Sequence, residues 1–257
     1  RHKIPILKKI NDDVSIKVRE QYEQNSYPRW INLGLPLAPK SISAVTKEIS
    51  LNIKNLCINQ ISNPQILVAG CGTGQHSIGT AARFKDCNVL AIDLSLSSLS
   101  YAKRKTEELG IFNIDYMQAD ILDLEALNRQ FDIIESAGVL HHMDNPMAGW
   151  QGLTNCLKTG GLMKIGLYSD LARTHIGKMR NEIQRSNIGS SRDAMKSFRR
   201  IILDSKEEHH NLISLSPDFY STSSFRDLLF HVQEHRFTIP EIKDCLAQLG
   251  LTFCGFE

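Results

Sequence analysis

Two hydrophobic patterns alternate in the middle of the chain. Past Asn63 and Pro64, short unbroken apolar runs alternate with stretches whose apolar positions recur every three or four residues. The runs at 65–69 (QILVA), 89–92, 114–117, 131–135 and 162–167 read as strands buried on both faces. The stretches 75–84, 95–109 and 146–157 read as helices between them. Strands alternating with helices predict an α/β fold, a doubly wound, mostly parallel sheet with helices on both faces. Such sheets bind ligands at the carboxyl ends of their strands.

The flanks follow other patterns. Residues 1–62 are expected to form an N-terminal helical cap. Asn11 or Asp12 can cap a helix running to Asn25, which Tyr27, Pro28, Arg29 and Trp30 interrupt. After Lys40, the spacing of Ile42, Val45, Ile49, Ile53 and Leu56 predicts a second helix. Residues 63–169 are the sheet core. Residues 170–237 form an insert, with helices at 171–185 and 191–203, a polar loop, and a short helix near 223–230. In residues 238–257, Thr238, Pro240 and Glu241 set a capping box for a helix that Gly250 stops. The last seven residues alternate like a final strand. The chain starts with Arg1 and ends on that strand, so it is expected to be a piece of a longer one.

Composition narrows the classes. The chain has 257 residues, 42% apolar and 23% charged, as an ordinary globule does. Lys and Arg number 30 against 28 Asp and Glu, which gives no overall attraction to nucleic acid or membrane. Locally, residues 170–200 hold eight basic and three acidic side chains. These read as a solvated face or as an anion-recognition patch. No apolar run approaches the ~20 residues that span a bilayer. The six cysteines form no C-x-x-C pair, which points away from disulfides and zinc and towards a reducing cytoplasm.

Candidate chemistry begins at Gly70, Cys71, Gly72, Thr73 and Gly74, between a strand and a helix. Glycines let a backbone turn sharply and approach a ligand. The dinucleotide fingerprint G-x-G-x-x-G needs glycine where Gln75 stands, which disfavours an NAD(P)-dependent oxidoreductase. No P-loop lysine follows either, so the ligand is expected to lack phosphates. Asp93, at the end of the second strand, can accept from ribose hydroxyls or cap the helix after Ser95. Asp120 can accept from an adenine amino group, with Ile121 on the ring, or act as a helix cap. The fourth element is the loop 135–146 (ESAGVLHHMDNP).

Residues 66–77 (ILVAGCGTGQHS), 92–95 (IDLS), 118–123 (QADILD) and 139–146 (VLHHMDNP) together resemble class I S-adenosylmethionine-dependent methyltransferases, in order and spacing, across 65–169. More narrowly, 21–30 (QYEQNSYPRW) and 219–238 resemble the methyltransferase part of bacterial proteins that often carry tetratricopeptide repeats. The resemblance implies a Rossmann-like core, S-adenosylmethionine as cofactor, and methyl transfer by in-line displacement to a small-molecule or protein acceptor. It implies that Gly70, Cys71, Gly72, Thr73 and Gly74 line the methionine and ribose part. Asp93 and Leu94 would hold the ribose, Asp120 and Ile121 the adenine, and Ser136 would sit beside the methyl donor. The family often has an acidic residue two before the first glycine; here it is Val68, so another group must hold the cofactor's ammonium.

On the acceptor side, His141 and His142 are candidate general bases or loop-positioning residues. Tyr168 is expected at the same rim, and Tyr22, Tyr27, Arg29 and Trp30 as a lid that excludes water or as ordinary aromatic packing. Glu135, Ser136, Ala137 and Gly138 lack the Pro-Pro-aromatic pattern of base methylation, so nucleic acid is not the expected acceptor. Residues 231–235 (HVQEH) match an inverted zinc-protease pattern too short to support a metal site. The competing reading is a cofactor-binding module without catalysis.

Overall fold

The computed structural model describes residues 4–257. Strands β1 (Gln65–Ala69), β2 (Asn88–Asp93), β3 (Ile114–Gln118), β4 (Phe131–Ala137) and β5 (Leu157–Gly166) form one sheet. All pairings are parallel, in the order β3-β2-β1-β4-β5. The chain winds from β1 out to β3, then crosses back to place β4 on the other side of β1. That reversal opens a crevice at the carboxyl ends of β1 and β4.

The inner strands β1 and β2 are buried and apolar along most of their length because both their faces are covered. Ile66, Val68, Val89 and Ala91 pack on one face against α2 (Ile42–Glu48), α3 (Gln75–Arg83) and α4 (Leu96–Glu108). Leu67, Ala69, Leu90 and Ile92 pack on the other against α5 (Pro146–Asn155) and α10 (Ile239–Gln248). Each such side chain contributes about 1.5–3 kcal/mol by leaving water. Caps fix the helix starts: Ser95 Oγ accepts from Ser98 N at 3.1 Å, and Asn145 Oδ1 from Ala148 N at 3.1 Å.

The N-terminal cap is only partly helical. Asp12 caps α1 (Asp13–Gln24), accepting from Ser15 N at 2.8 Å. Before it, residues 5–7 lie along β3: Leu7 N donates to Gln118 O and Gln118 N to Pro5 O, both at 2.9 Å. They cover part of an edge that would otherwise offer unpaired groups. The second helix is shorter than its apolar spacing predicts. It ends at Glu48, where Ser50 turns to a φ of 55° and Leu51 N donates back to Thr46 O. The expected strand at 251–257 does not form. A strand needs a neighbour's ladder, and this tail is instead tied by Asn52 N to Cys254 O at 2.8 Å and by Glu257 to Arg83 and Lys164.

The insert has its own core. Helices α6 (Thr174–Arg185), α7 (Arg192–Asp204), α8 (Glu208–Ser214) and α9 (Thr222–Phe230) pack around Met179, Phe198, Ile213, Phe219 and Phe225. α8 falls in the expected polar loop, since seven residues with two histidines show no legible period. Three of the basic residues are used internally. Arg173 pairs with Glu234, Arg180 donates to the carbonyls of Leu229 and His231, and Arg199 donates to Ser221 O beneath the ring of Phe225. α9 ends at Phe230, so residues 231–235 are not helical and share no helix face. They return along the core: His235 N donates to His141 O at 2.7 Å and Phe237 N to Tyr168 O at 2.8 Å.

Candidate active site

The loop after β1 is held from below and above. Gly70 N and Cys71 N both donate to Ile92 O, at 2.8 and 2.9 Å. Gly72, at φ +52°, would put a Cβ 2.5 Å from the Tyr27 carbonyl oxygen. Gly74, at φ +89°, would put one 2.6 Å from Ala102 Cβ on α4. Glycine is required at both, to let the N-terminal segment and α4 come this close.

Above the loop lies a cavity of about 520 Å³, within the ~300–1,000 Å³ of small-molecule sites. Gly70, Cys71, Gly72, Asp93, Leu94, Asp120 and Ile121 line one side. Ala137, Gly138 and Val139 continue the wall at the end of β4. Thr73, Gly74 and Ser136 do not face it. Thr73 turns to the N-terminal segment, donating to Pro28 O, and Ser136 is fully buried with its hydroxyl unpartnered among the described residues.

The capping reading holds for Asp120, which caps the 3-10 turn after β3, and not for Asp93, since α4 is capped by Ser95. Asp93 accepts from Gly72 N at 2.8 Å and Ser95 N at 2.9 Å, and Asp120 accepts from Leu122 N at 3.0 Å. Each carboxylate still lines the cavity with lone pairs to spare. Burial raises both carboxyls above the ordinary range. In β1, Val68 lies in register beside Glu135 of β4. The Glu135 carboxylate is held below the ordinary range, against burial, by His76 Nε2 at 2.9 Å and the Thr80 hydroxyl. It faces α3 rather than this cavity; His76 itself lines the cavity.

The expected lid divides. Tyr22 and Tyr27 line the cavity. Trp30 is a staple: its indole Nε1 donates to Thr73 Oγ1 at 3.1 Å, and Tyr101 meets it edge to face at 5.7 Å. Arg29 is exposed and not part of the cavity wall.

The two histidines also divide. His142 lines the cavity, while His141 lies behind it, stacked on Tyr168 at 3.6 Å with neither ring nitrogen partnered among the described residues. The Nδ1 of His142 lies 2.7 Å from the carbonyl of Gln233. A carbonyl can only accept, so Nδ1 carries the proton and Nε2 is left with its lone pair. Burial first, then neighbouring positive groups, pushes His141 down to about 2; burial pushes His142 down to about 4. Neither imidazole keeps the near-neutral basicity expected of a general base. Tyr168 lines the cavity beyond the end of β5, with the guanidinium of Arg173 at 3.6 Å from its ring centre.

Ser15, Val18, Gln75, His76, Met143, Lys164 and Asp227 line the cavity without having been singled out. Gln75 and His76 adjoin the glycine loop and could have been read from it. Asp227 could not, lying 205 residues from its partner Tyr22.

Residues 66–161 match the model of a methyltransferase domain. An uncharacterised protein of Synechococcus sp. is 30% identical over 210 residues, 77% of this chain and 49% of that one. A probable (S)-tetrahydroprotoberberine N-methyltransferase of Papaver bracteatum is 33% identical over 34% of this chain and 24% of that one. PKMT2 from Rickettsia typhi, solved in complex with AdoHcy, superposes with a TM-score of 0.61 at 18% identity, over 83% of this chain and 44% of that one. The chain thus spans about half the length, or less, of these proteins. Residues 66–161 are thus similar to a methyltransferase domain, and the chain has the Rossmann-like α/β fold of its methyltransferase neighbours.

Proposed function

We propose that the protein moves the methyl group of S-adenosylmethionine to a small-molecule or protein acceptor held between the sheet core (63–169) and the helical insert (170–237). The observation that carries this is one cavity with two unlike walls. One wall is the glycine loop with Asp93 and Asp120; the other is Tyr22, Tyr27, His142, Tyr168 and Asp227.

The residues present fit the cofactor. Asp93 and Asp120 keep acceptor lone pairs at neighbouring strand ends, and Gly72 leaves no room for a side chain. Asp93 would take the ribose hydroxyls, Asp120 the adenine amino group, and Ile121 the ring face. When bound, the cofactor supplies a methyl group already activated by its sulfonium. The chain's task is alignment and exclusion of water, and proximity alone can lower the barrier by ~7–11 kcal/mol. Tyr22 and Tyr27 close the cavity from the N-terminal segment, offering aromatic faces to a cation. His142 stays neutral, with Nδ1–H fixed by Gln233, and offers Nε2 as an acceptor that orients a donor group.

No helix among the described residues is long and apolar enough to cross a membrane. The six free cysteines suit a reducing compartment, and a cytoplasmic place is part of the proposal. A repeat domain elsewhere in a longer protein is proposed on the narrower motif resemblance alone. The test is incubation with methyl-labelled S-adenosylmethionine and native cell extract. The proposal expects label in a small molecule or a protein. S-adenosylhomocysteine binding without any transfer would favour a non-catalytic module, and stabilisation by NADH instead would favour an oxidoreductase.

A further inference from the structure

Among the described residues, Asp227 is the cavity's one wall carboxylate that no backbone N–H engages. Asp93 and Asp120 are engaged by backbone N–H groups. The nearby cations are engaged too. Lys164 pairs with Glu257 at 2.6 Å, and Arg173 makes two bonds to Glu234, at 3.1 and 2.8 Å. Asp227 is 7% exposed, and among the described residues its hydrogen-bond partner is a neutral hydroxyl, that of Tyr22, 2.7 Å from Oδ1. A buried carboxylate without a counter-charge is costly, and such sites are held where a ligand supplies the missing charge.

We propose that Asp227 receives the methyl acceptor, and that the acceptor is an amine entering as its ammonium ion. This rests on the methyltransferase reading above. The aromatic rings of Tyr22, Tyr27 and Tyr168 share the wall with Asp227, a setting that suits an alkylammonium through carboxylate and π faces together. It disfavours a carboxylate acceptor, whose charge Asp227 would oppose.

The same carboxylate can take the proton. The ammonium gives one proton to Oδ2, becoming a neutral amine with its lone pair free, and Asp227 becomes a carboxylic acid. Nitrogen then gains the methyl as the carbon–sulfur bond pair stays on sulfur, so the product is a methylammonium. Burial holds Asp227 up at about 6 while His142 is pushed down to about 4, so the aspartate is the stronger base of the two. Tyr22 can adjust to the change of charge on Asp227. Its single hydroxyl hydrogen lies between Asp227 Oδ1 and His231 Nε2, the latter at 3.1 Å. The shorter contact of His231 Nδ1 with Gln233 is to the carbonyl, at 2.9 Å, which leaves Nε2 an acceptor. The hydroxyl can thus turn to His231 once Asp227 is protonated.

The test uses the whole chain saturated with S-adenosylhomocysteine, titrated calorimetrically with hexylammonium, hexanoate and hexanol. The expected result is hexylammonium binding at least ~10-fold tighter than the other two, a preference lost in Asp227→Asn and partly kept in Asp227→Glu. Hexylammonium failing to bind, hexanol or hexanoate binding as well, or Asp227→Asn keeping the preference would overturn the inference. If Asp227→Asn does not fold, the charge preference of the unaltered protein decides. S-adenosylhomocysteine binding is measured first. Its absence overturns the methyltransferase reading and this inference together, whereas its presence without ammonium binding overturns this inference alone.

Discussion

The sheet core and the helical insert fold on unlike principles and contribute unequally to the cavity. The core buries strands on two faces and brings its polar residues to strand ends, so position in the sheet decides what Asp93 and Asp120 can touch. The insert buries aromatic rings of its own, and its one cavity residue, Asp227, meets Tyr22 only after four helices have packed. On the proposed reading, the cofactor, common to many enzymes, is gripped by the regular strand ends. On the same reading, the acceptor, which differs from enzyme to enzyme, meets a wall to which the insert adds Asp227.

Breaking the insert's core separates the halves most strongly. Phe225→Ala removes a fully buried ring and is expected to cost about 3–5 kcal/mol. Methyl transfer should collapse while S-adenosylhomocysteine affinity stays within about threefold, because the cofactor wall belongs to the other core. Calorimetry on the variant checks it; equal loss of both would mean that the cores are one unit.

Gly72→Val acts from the opposite side. A side chain at this positive φ costs about 1–2 kcal/mol before the clash with the Tyr27 carbonyl is counted. Cofactor affinity should fall by more than ~10-fold, with the insert still folded by thermal unfolding monitored at its aromatic rings.

Acid should loosen the seam between the halves. His141, His142 and His231 are buried neutral, pushed to about 2, 4 and 2. The unfolded chain protonates them near 6.5. Their stabilisation is therefore full above that pH and is lost as pH falls towards 4 and below, at up to about 1.4 kcal/mol per pH unit for each. Asp227, raised to about 6, works the other way. Its contribution is full below the unfolded carboxylate value near 4 and lost as pH rises through 6, so it offsets one histidine between pH 6 and 4. The melting temperature should drop across that window.

The smallest effect distinguishes the two adjacent histidines. His141→Phe removes two unpartnered buried nitrogens and keeps a ring against Tyr168. Stability should hold or rise by about 1 kcal/mol with transfer retained. His142→Phe should lower transfer by about 10-fold through lost orientation, read as kcat. Equal kinetic effects would contradict the assignment of His142 alone to the cavity.

Much of the core was legible because its rules are local. A two-sided strand must be apolar throughout, and the glycines and aspartates at strand ends are set by a few neighbouring residues. The cap and the insert depended on distant partners. Residues 5–7 pair with β3 through backbone groups that leave no trace in side-chain pattern. The alternation at 251–257 suggested a strand, but alternation supplies no neighbour. His141 and His142 look equivalent in sequence, and only the return of residues 231–235 over the loop puts one behind the other. Asp227 and Tyr22 carry no shared motif, being joined by the packing of α9 against α1.

The central claim is that the cavity wall with Asp93 holds the cofactor and the wall with Asp227 the acceptor. Titrating S-adenosylhomocysteine into the unaltered protein, Asp93→Ala and Asp227→Asn tests it most directly. Loss of hydrogen bonds to a charged group predicts affinity at least ~10-fold weaker for Asp93→Ala and little changed for Asp227→Asn. Unchanged affinity in Asp93→Ala, or an equal loss in Asp227→Asn, would contradict the division.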